Sequence, residues 1–233
     1  MQTLKEWINS DKVQQMIKMS DEEILNKYFL RKPQLLDVYD PKYFYSPASG
    51  TVISVHSNIA PNSSIVEVKG KNYTVRRLLE DDNFNYHVLL VSIFMSFYDV
   101  HVQTVPYSGN FSVYNEKPIL SKNYPMLATE EKIMEDIVDT STMDYLFENE
   151  RKITYVTNGD INYFVTQIAD ERVNMIENIS NGKYMKTGQE FGIIKEGSQV
   201  DFLIVLNDKM KYKILVNEKD HVESGFDKIV EIL

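Results

Sequence analysis

From Tyr43 onward, the sequence is a series of short β-branched and aromatic runs interrupted by proline, glycine and asparagine. This pattern is typical of a sheet-rich body, because β-branched and aromatic side chains suit a pleated surface and the interrupting residues form turns. The longest apolar run, from Val88 to Tyr98, is rich in valine, isoleucine and phenylalanine. It predicts a strand that is covered on both of its faces.

The first 40 residues have a different pattern, because apolar side chains recur at helical spacing around Trp7 and again after Ser20. An internal helix is predicted over Glu130 to Val138. Further strands are predicted at Thr51 to Val55, Ile65 to Val68, Ile153 to Val156, Tyr163 to Ile168 and Val200 to Leu206. The sequence therefore predicts an α+β fold: a sheet-dominated single domain of barrel or sandwich type, with an N-terminal helical segment at residues 1–40 and the main body at 41–233.

The composition of the 233 residues narrows the function classes. There is no cysteine, which excludes a disulfide framework, a thiolate metal site and a cysteine nucleophile. The net charge of -9 repels phosphate backbones, so nucleic acid is not an expected partner. Metal-binding histidine motifs and glycine-rich phosphate loops are also missing from the sequence, and no metal is expected.

The start of the chain does not resemble a secretion signal, and no apolar run reaches the roughly 18 residues that a membrane-spanning helix needs. The expected location is the cytoplasm. The sequence leaves contact with a membrane surface as an alternative, because Trp7 and the lysines near it suit the headgroup layer. A homodimer is also left as an alternative.

The first candidate site lies at the end of the long apolar run, where His101 follows Asp99 by two residues. On an extended backbone, both side chains would point to the same face, so the carboxylate could orient or charge the imidazole. The alternative is a histidine that only satisfies backbone groups where a strand meets a loop.

The second candidate is the pair Gly197-Ser198, which leads into an apolar strand. A serine hydroxyl in a strained turn can attack the preceding carbonyl, so that an ester replaces the amide. Elimination then leaves a dehydroalanine, which hydrolyses to a pyruvoyl group, and glycine permits the unusual backbone geometry. The alternative is an ordinary Gly-Ser turn.

Five blocks of sequence, in order from about residue 44 to 206, resemble motifs of the phosphatidylserine decarboxylases, especially the short bacterial and archaeal form. The blocks are Ser46-Pro47-Ala48-Ser49-Gly50-Thr51-Val52, Val68-Lys69-Gly70-Lys71-Asn72-Tyr73-Thr74-Val75 with Leu78-Leu79, Phe94-Met95-Ser96-Phe97-Tyr98-Asp99-Val100-His101-Val102, Leu146-Phe147-Glu148-Asn149-Glu150-Arg151, and Gly188-Gln189-Glu190-Phe191-Gly192 with Gly197-Ser198-Gln199-Val200.

The resemblance implies a precursor that cuts itself between Gly197 and Ser198, so that Ser198 becomes a covalent pyruvoyl cofactor. That group would capture the substrate amine and act as an electron sink while carbon dioxide leaves, and no pyridoxal phosphate is needed. His101 matches the family's active-site histidine, which would position the substrate carboxylate or protonate the carbanion, and Asp99 precedes it as in the family motif. The implied reaction is the conversion of phosphatidylserine to phosphatidylethanolamine.

Three positions depart from the family pattern. Ser49 stands where the family has an aspartate that is thought to support self-cleavage, Thr104 stands where the short form has an arginine, and Gln199 replaces a threonine. Ser49 cannot carry a charge, and the change at residue 104 removes a cation that could meet an anionic substrate. A soluble amino acid as substrate, an unprocessed relative that binds or scaffolds, and an unrelated β-rich binding module therefore remain as alternatives.

Overall fold

The computed structural model describes residues 1–114, 124–170, 176–178, 182–194 and 198–233. The strands are β1 (Gln2–Thr3), β2 (Tyr43–Tyr45), β3 (Gly50–Ile59), β4 (Ser64–Val68), β5 (Lys71–Thr74), β6 (Val88–Met95), β7 (Val102–Thr104), β8 (Gly109–Val113), β9 (Arg151–Asn158), β10 (Ile161–Ala169), β11 (Ile176–Asn178), β12 (Lys183–Met185), β13 (Glu190–Ile194), β14 (Ser198–Val205), β15 (Tyr212–Ile214), β16 (Asp220–Val222) and β17 (Lys228–Ile232).

The helices are short. They are α1 (Leu4–Ile8), α2 (Asp11–Met16), α3 (Asp21–Ile24), α4 (Val75–Leu79), α5 (Leu127–Met134) and α6 (Tyr145–Glu148), with a π-helical turn at Leu25–Phe29 and a 3-10 turn at Thr140–Thr142. None of the described helices is both long enough and apolar enough to span a membrane.

A nine-stranded antiparallel sheet forms the centre of the fold, in the order β1-β16-β3-β6-β14-β10-β9-β8-β12. Strand β6 lies between β3 and β14, and all eight of its residues are buried. The predicted strand that is covered on both faces is therefore confirmed. The other five predicted strands also form, although the exact end residues differ.

Alternate residues of β6 contribute to two different hydrophobic cores, as the period of two in a strand requires. Val91 and Ile93 belong to the core beneath the two three-stranded sheets, whose orders are β11-β13-β7 and β15-β17-β2. Leu90 and Phe94 belong to the core on the opposite face, which is filled by apolar residues of the helices. The large sheet is thus covered by smaller sheets on one side and by helices on the other.

The predicted internal helix is displaced towards the N-terminus. Helix α5 begins at Leu127 and ends at Met134, so Ile137 and Val138 lie outside it. The reason is Asp136, which adopts a left-handed conformation with φ of 61° and therefore cannot continue the helix. Ile137 is 44% exposed instead of contributing to a buried helical face.

The sheet-dominated α+β class is confirmed, and the layered arrangement fits the predicted sandwich form loosely. The described part of the large sheet has two ends, β1 and β12, so the predicted barrel closure is not observed there. The division of the chain after residue 40 stays a prediction. In the structure, β1 of that segment pairs with β16 near the C-terminus.

Candidate active site

Ser198 is the first residue of the central strand β14. It pairs with Met95 of β6 on one side and with Ala169 of β10 on the other, and its side chain is fully buried. The Ser198 hydroxyl donates a hydrogen bond of 3.2 Å to the thioether sulfur of Met95. Because a thioether is a weak acceptor, this contact holds the hydroxyl only loosely. Gly197, the other half of the predicted cleavage site, lies outside the described residues.

His101 lies between β6 and β7 with its imidazole fully buried. The ring stacks on Phe29, with ring centroids 3.8 Å apart and an interplanar angle of 16°. Its Nδ1 lies 3.1 Å from the backbone oxygen of Asp99. Within the described part of the chain, its buried Nε2 has no hydrogen-bond partner.

These contacts fix the protonation state of His101. A carbonyl oxygen can only accept a hydrogen bond, so Nδ1 carries the proton and Nε2 keeps its lone pair. Burial lowers the pKa of His101 to about 4, because a charged imidazolium would lose its hydration. At neutral pH, His101 therefore presents an unprotonated nitrogen that can accept a proton.

Two connections link His101 to Ser198. The amide of Ile194 donates to the backbone oxygen of His101 at 3.4 Å, and Ser198 follows Ile194 by only four positions in the chain. Gln103 provides the second connection, since its Nε2 contacts both the backbone oxygen of His101 at 3.1 Å and the Met95 sulfur at 3.6 Å. The Ser198 hydroxyl donates to that same sulfur. The structure therefore brings the two predicted residues into one buried region.

The spacing of the two residues predicted that the carboxylate of Asp99 could orient or charge the imidazole of His101, but in the structure this carboxylate makes its hydrogen bonds to other residues. Its Oδ1 lies 2.8 Å from Nε2 of His221, and its Oδ2 accepts hydrogen bonds from the amide and hydroxyl of Ser96, each 2.9 Å long. Only the backbone oxygen of Asp99 contacts the ring of His101. The contact differs from the expected one because the backbone after β6 forms a turn there instead of an extended strand, although the charge of Asp99 still favours the protonated form of His101.

Sequence reasoning also missed His221, which is 122 positions away from Asp99 and lies in no motif block. Burial by itself would raise the pKa of Asp99, but the attraction of His221 and the hydrogen bonds from His221 and Ser96 lower it below its usual value. Asp99 and His221 thus form a buried polar pair that fixes the turn carrying His101.

Ser49 and Thr104, two of the departures from the family pattern, both contact Ser224. The Ser49 hydroxyl donates to Oε2 of Glu223 at 3.0 Å and accepts from the amide of Ser224 at 3.0 Å. The Thr104 hydroxyl lies 2.9 Å from the hydroxyl of Ser224. Ser49 therefore contacts the segment after β16, and within the described residues it makes no hydrogen bond to His101 or Ser198.

Gly50, which follows Ser49 in the same block, lies where the neighbouring strand leaves no room for a side chain. A Cβ atom at this position would lie 2.2 Å from the backbone oxygen of Phe94 on the neighbouring strand, much closer than any carbon can approach. Only glycine allows β3 and β6 to pair here. This glycine of the motif is therefore explained by the packing of the two strands.

Gln199, the third departure, points to the opposite face of β14 from Ser198. Its side chain accepts a hydrogen bond from Tyr145 and donates one to the carboxylate of Asp201, both 2.8 Å long. Burial raises the pKa of Asp201 to about 6. A cavity of about 440 Å³ on this face is lined by Gln199 but by neither Ser198 nor His101. The cavity is therefore separate from the Ser198 hydroxyl.

Comparison with known proteins decides the family. Residues 25–229 match the family model described as phosphatidylserine decarboxylase. The chain belongs to the phosphatidylserine decarboxylase family. This confirms the membership predicted from the five sequence blocks and, with it, the predicted enzyme class, a carboxy-lyase.

Several relatives show how far the similarity extends. The phosphatidylserine decarboxylase proenzyme of Amoebophilus asiaticus is 27% identical over 88% of this chain and 74% of its own length. That of Cytophaga hutchinsonii is 29% identical over 82% of this chain and 78% of its own length. The putative archaetidylserine decarboxylase proenzyme of Methanocaldococcus jannaschii is 33% identical over 85% of both chains. Comparison with solved structures finds no significant match.

The names of these relatives describe proenzymes, which agrees with the predicted self-processing decarboxylase of the phosphatidylserine type. The individual roles predicted for Ser198, His101, Asp99, Ser49 and Gly197 stay predictions.

Proposed function

We propose that this chain cuts itself between Gly197 and Ser198 and then removes the carboxylate of a serine phospholipid. The observation that carries the proposal is the buried Nε2 of His101, an unprotonated nitrogen without a described partner, in the same region as the loosely held hydroxyl of Ser198. Buried polar atoms without a partner are uncommon in folded proteins, so a free nitrogen in the same region as the candidate nucleophile supports a reactive role for His101.

Self-cleavage needs only atoms of the chain and one water molecule. The Ser198 hydroxyl attacks the carbonyl carbon of Gly197, the amide C–N bond breaks, and the freed amine takes up the hydroxyl proton. Removal of the Ser198 α-proton then expels Gly197 as a carboxylate and leaves a dehydroalanine. This group tautomerises to an imine, and its hydrolysis releases ammonia and leaves the pyruvoyl group on the segment that begins at residue 198.

The described residues fit this cofactor. Residue 198 would remain the first residue of β14, held between β6 and β10 by backbone pairing, in a site without bulk water. When present, the pyruvoyl group supplies a carbonyl that captures an amine and withdraws electrons from the bond to carbon dioxide.

The proposed role of His101 is to move one proton. A serine headgroup arrives with an ammonium group, which must lose a proton before its nitrogen can attack a carbonyl. Nε2 of His101 accepts that proton and later returns it to the carbon that has lost carbon dioxide. Because burial lowers the pKa of His101 to about 4, the imidazolium form holds this proton weakly and gives it up readily. Asp99 and His221 act indirectly, by holding the backbone oxygen that orients the ring.

The proposed substrate is phosphatidylserine, with phosphatidylethanolamine as product, because most of the named relatives carry this activity in their names. The archaeal relatives are named for archaetidylserine, which differs in its lipid part. The shared serine headgroup is the part that the chemistry requires. Peripheral contact with a membrane and a homodimer stay predictions.

The intact mass of the purified protein tests the proposal. We expect two fragments, residues 1–197 and 198–233, the smaller one carrying a carbonyl that hydrazine reagents label. Ser198→Ala should remain a single chain, whereas Ser112→Ala, at an exposed serine of β8, should cleave like the wild type.

Three results would contradict the proposal. One is an unlabelled full-length wild-type chain, which would favour a binding or scaffold protein. Another is cleavage that persists in Ser198→Ala. The third is a cleaved protein that decarboxylates free serine but not phosphatidylserine vesicles, which would favour the soluble amino acid as substrate.

A further inference from the structure

A cation from the N-terminal segment lies next to His101. Thr104 stands where the family motif has arginine, and its side chain carries no charge. It is buried, and its hydroxyl contacts the hydroxyl of Ser224. Arg31 lies elsewhere in the sequence, outside all five motif blocks. Its half-buried guanidinium extends over the turn that leads to His101 and donates from Nη2 to the backbone oxygen of Tyr98 at 2.9 Å.

Arg31 and His101 share an acceptor. Nη1 of Arg31 lies 3.4 Å from the backbone oxygen of Asp99, and Nδ1 of His101 lies 3.1 Å from the same atom. Two side chains that contact one oxygen are direct neighbours. The guanidinium is therefore placed beside the imidazole that the proposed function uses.

The charge of Arg31 is not neutralised by a direct ion pair with any described residue. The carboxylates of Asp99 and Glu223 are near enough to attract it, but they contact His221 and Ser49 respectively. Its buried Nε has no hydrogen-bond partner in the part of the chain that the structure describes. The Nη groups of this half-buried guanidinium donate to the backbone oxygens of Tyr28 and Tyr98, which leaves Nε as the unused donor. Such a donor is suited to an anionic oxygen, because charge-assisted hydrogen bonds to such groups are strong.

We propose that Arg31 determines substrate specificity by binding an anionic oxygen of the substrate next to His101. In this way, it replaces the arginine that the family motif places at residue 104. The proposal rests on the proposed function, since the anion belongs to a serine headgroup, either to its carboxylate or to its phosphodiester. Both groups present the same chemistry to a guanidinium.

Steady-state kinetics with detergent-dispersed phosphatidylserine is the first test. Arg31→Gln should raise KM about tenfold or more, the loss expected for one charge-assisted hydrogen bond, while kcat falls less. Arg31→Lys should recover part of the loss because it keeps the charge. Lys32→Gln, at the exposed neighbouring position, is the matched control and should behave like the wild type.

A binding measurement tests the same idea without turnover. Calorimetric titration compares N-acetylserine, which carries the carboxylate, with glycerol 3-phosphate, which carries the phosphate group. Arg31→Gln should weaken the binding of whichever probe supplies the relevant anion, and the wild-type affinities identify that probe. Self-cleavage and the melting temperature report whether the substitution merely disturbs the turn at Tyr98 and Asp99.

The proposal is overturned if Arg31→Gln leaves KM and both affinities unchanged, or if Arg31→Lys is as impaired as Arg31→Gln with an equally lowered melting temperature. Because the titration needs no cleavage, these outcomes differ from failure of the proposed function, in which the wild-type chain itself would stay intact and inactive.

Discussion

Two buried histidines, His101 and His221, have closely similar surroundings but different partners. Each ring stacks on an aromatic side chain of the N-terminal segment, Phe29 for His101 and Trp7 for His221. Each also contacts Asp99, and each has one ring nitrogen without a described hydrogen-bond partner. His101 contacts the backbone oxygen of Asp99, whereas His221 contacts its carboxylate.

In the proposed mechanism, this difference in one partner atom separates a reactive group from a structural one. A carbonyl oxygen carries no full charge, so burial dominates at His101 and keeps the ring neutral with Nε2 free. The carboxylate of Asp99 is hydrogen-bonded to both His221 and Ser96, so the pair of Asp99 and His221 acts as a fixed polar clamp. The comparison shows that burial and stacking of a histidine do not by themselves indicate catalysis.

The largest expected effect distinguishes the two histidines by activity. His101→Gln should lower the rate of phosphatidylserine decarboxylation about 10² to 10⁴-fold, because a proton acceptor is lost while the side-chain amide can still donate to Asp99. His221→Gln should cause a much smaller loss of rate in the fraction that folds. The rate of carbon dioxide release from cleaved, folded protein checks both. Equal losses of rate in the two variants would contradict the proposal that His101 is reactive and His221 structural.

The next largest effect concerns stability. Asp99→Asn removes the charge opposite His221 and keeps the backbone oxygen that faces His101. Breaking a buried pair of this kind should lower the free energy of unfolding by about 3–5 kcal/mol, as measured by urea denaturation. Asp160→Asn is the matched control, because its ion pair with Lys209 is exposed and should contribute less than about 1 kcal/mol. A loss for Asp99→Asn no greater than that of the control would contradict the assignment of a clamp.

The smallest effect is a pH dependence that belongs to His101. Its pKa of about 4 in the folded state lies below the ordinary 6.5, so its contribution to stability is complete above pH 6.5 and is lost as the pH falls towards 4. The loss should reach about 3 kcal/mol in the wild type and be absent from His101→Gln. Asp201 and Glu130, whose pKa values burial raises to about 6 and about 7, titrate in both proteins and cancel in the difference. Parallel plots of unfolding free energy against pH would refute the depressed pKa.

Much of the fold could be predicted from local patterns. The run from Val88 to Tyr98 predicted a strand covered on both faces, and β6 is such a strand, because eight consecutive buried residues leave no polar face for water. The end of α5 could not be predicted in the same way. The apolar spacing continues to Val138, but the left-handed conformation of Asp136 ends the helix first.

Only the residues of the site that lie in local sequence motifs could be predicted. Ser198 and His101 lie within motif blocks, so the sequence identified both, and the structure places them in one buried region. Arg31 and His221 lie outside every block. They reach Asp99 only because the chain folds back from 68 and 122 positions away.

The sequence by itself determined the sheet-rich class, the family and the two residues on which the proposed chemistry depends, because periodicity and motifs are local properties of a chain. Only the tertiary structure decided that Asp99 presents its carboxylate to His221 and its backbone oxygen to His101 and Arg31. Hydrogen-bond partners of buried groups are set by which segments pack together. That packing depends on the pairing of distant strands, which no short stretch of sequence encodes.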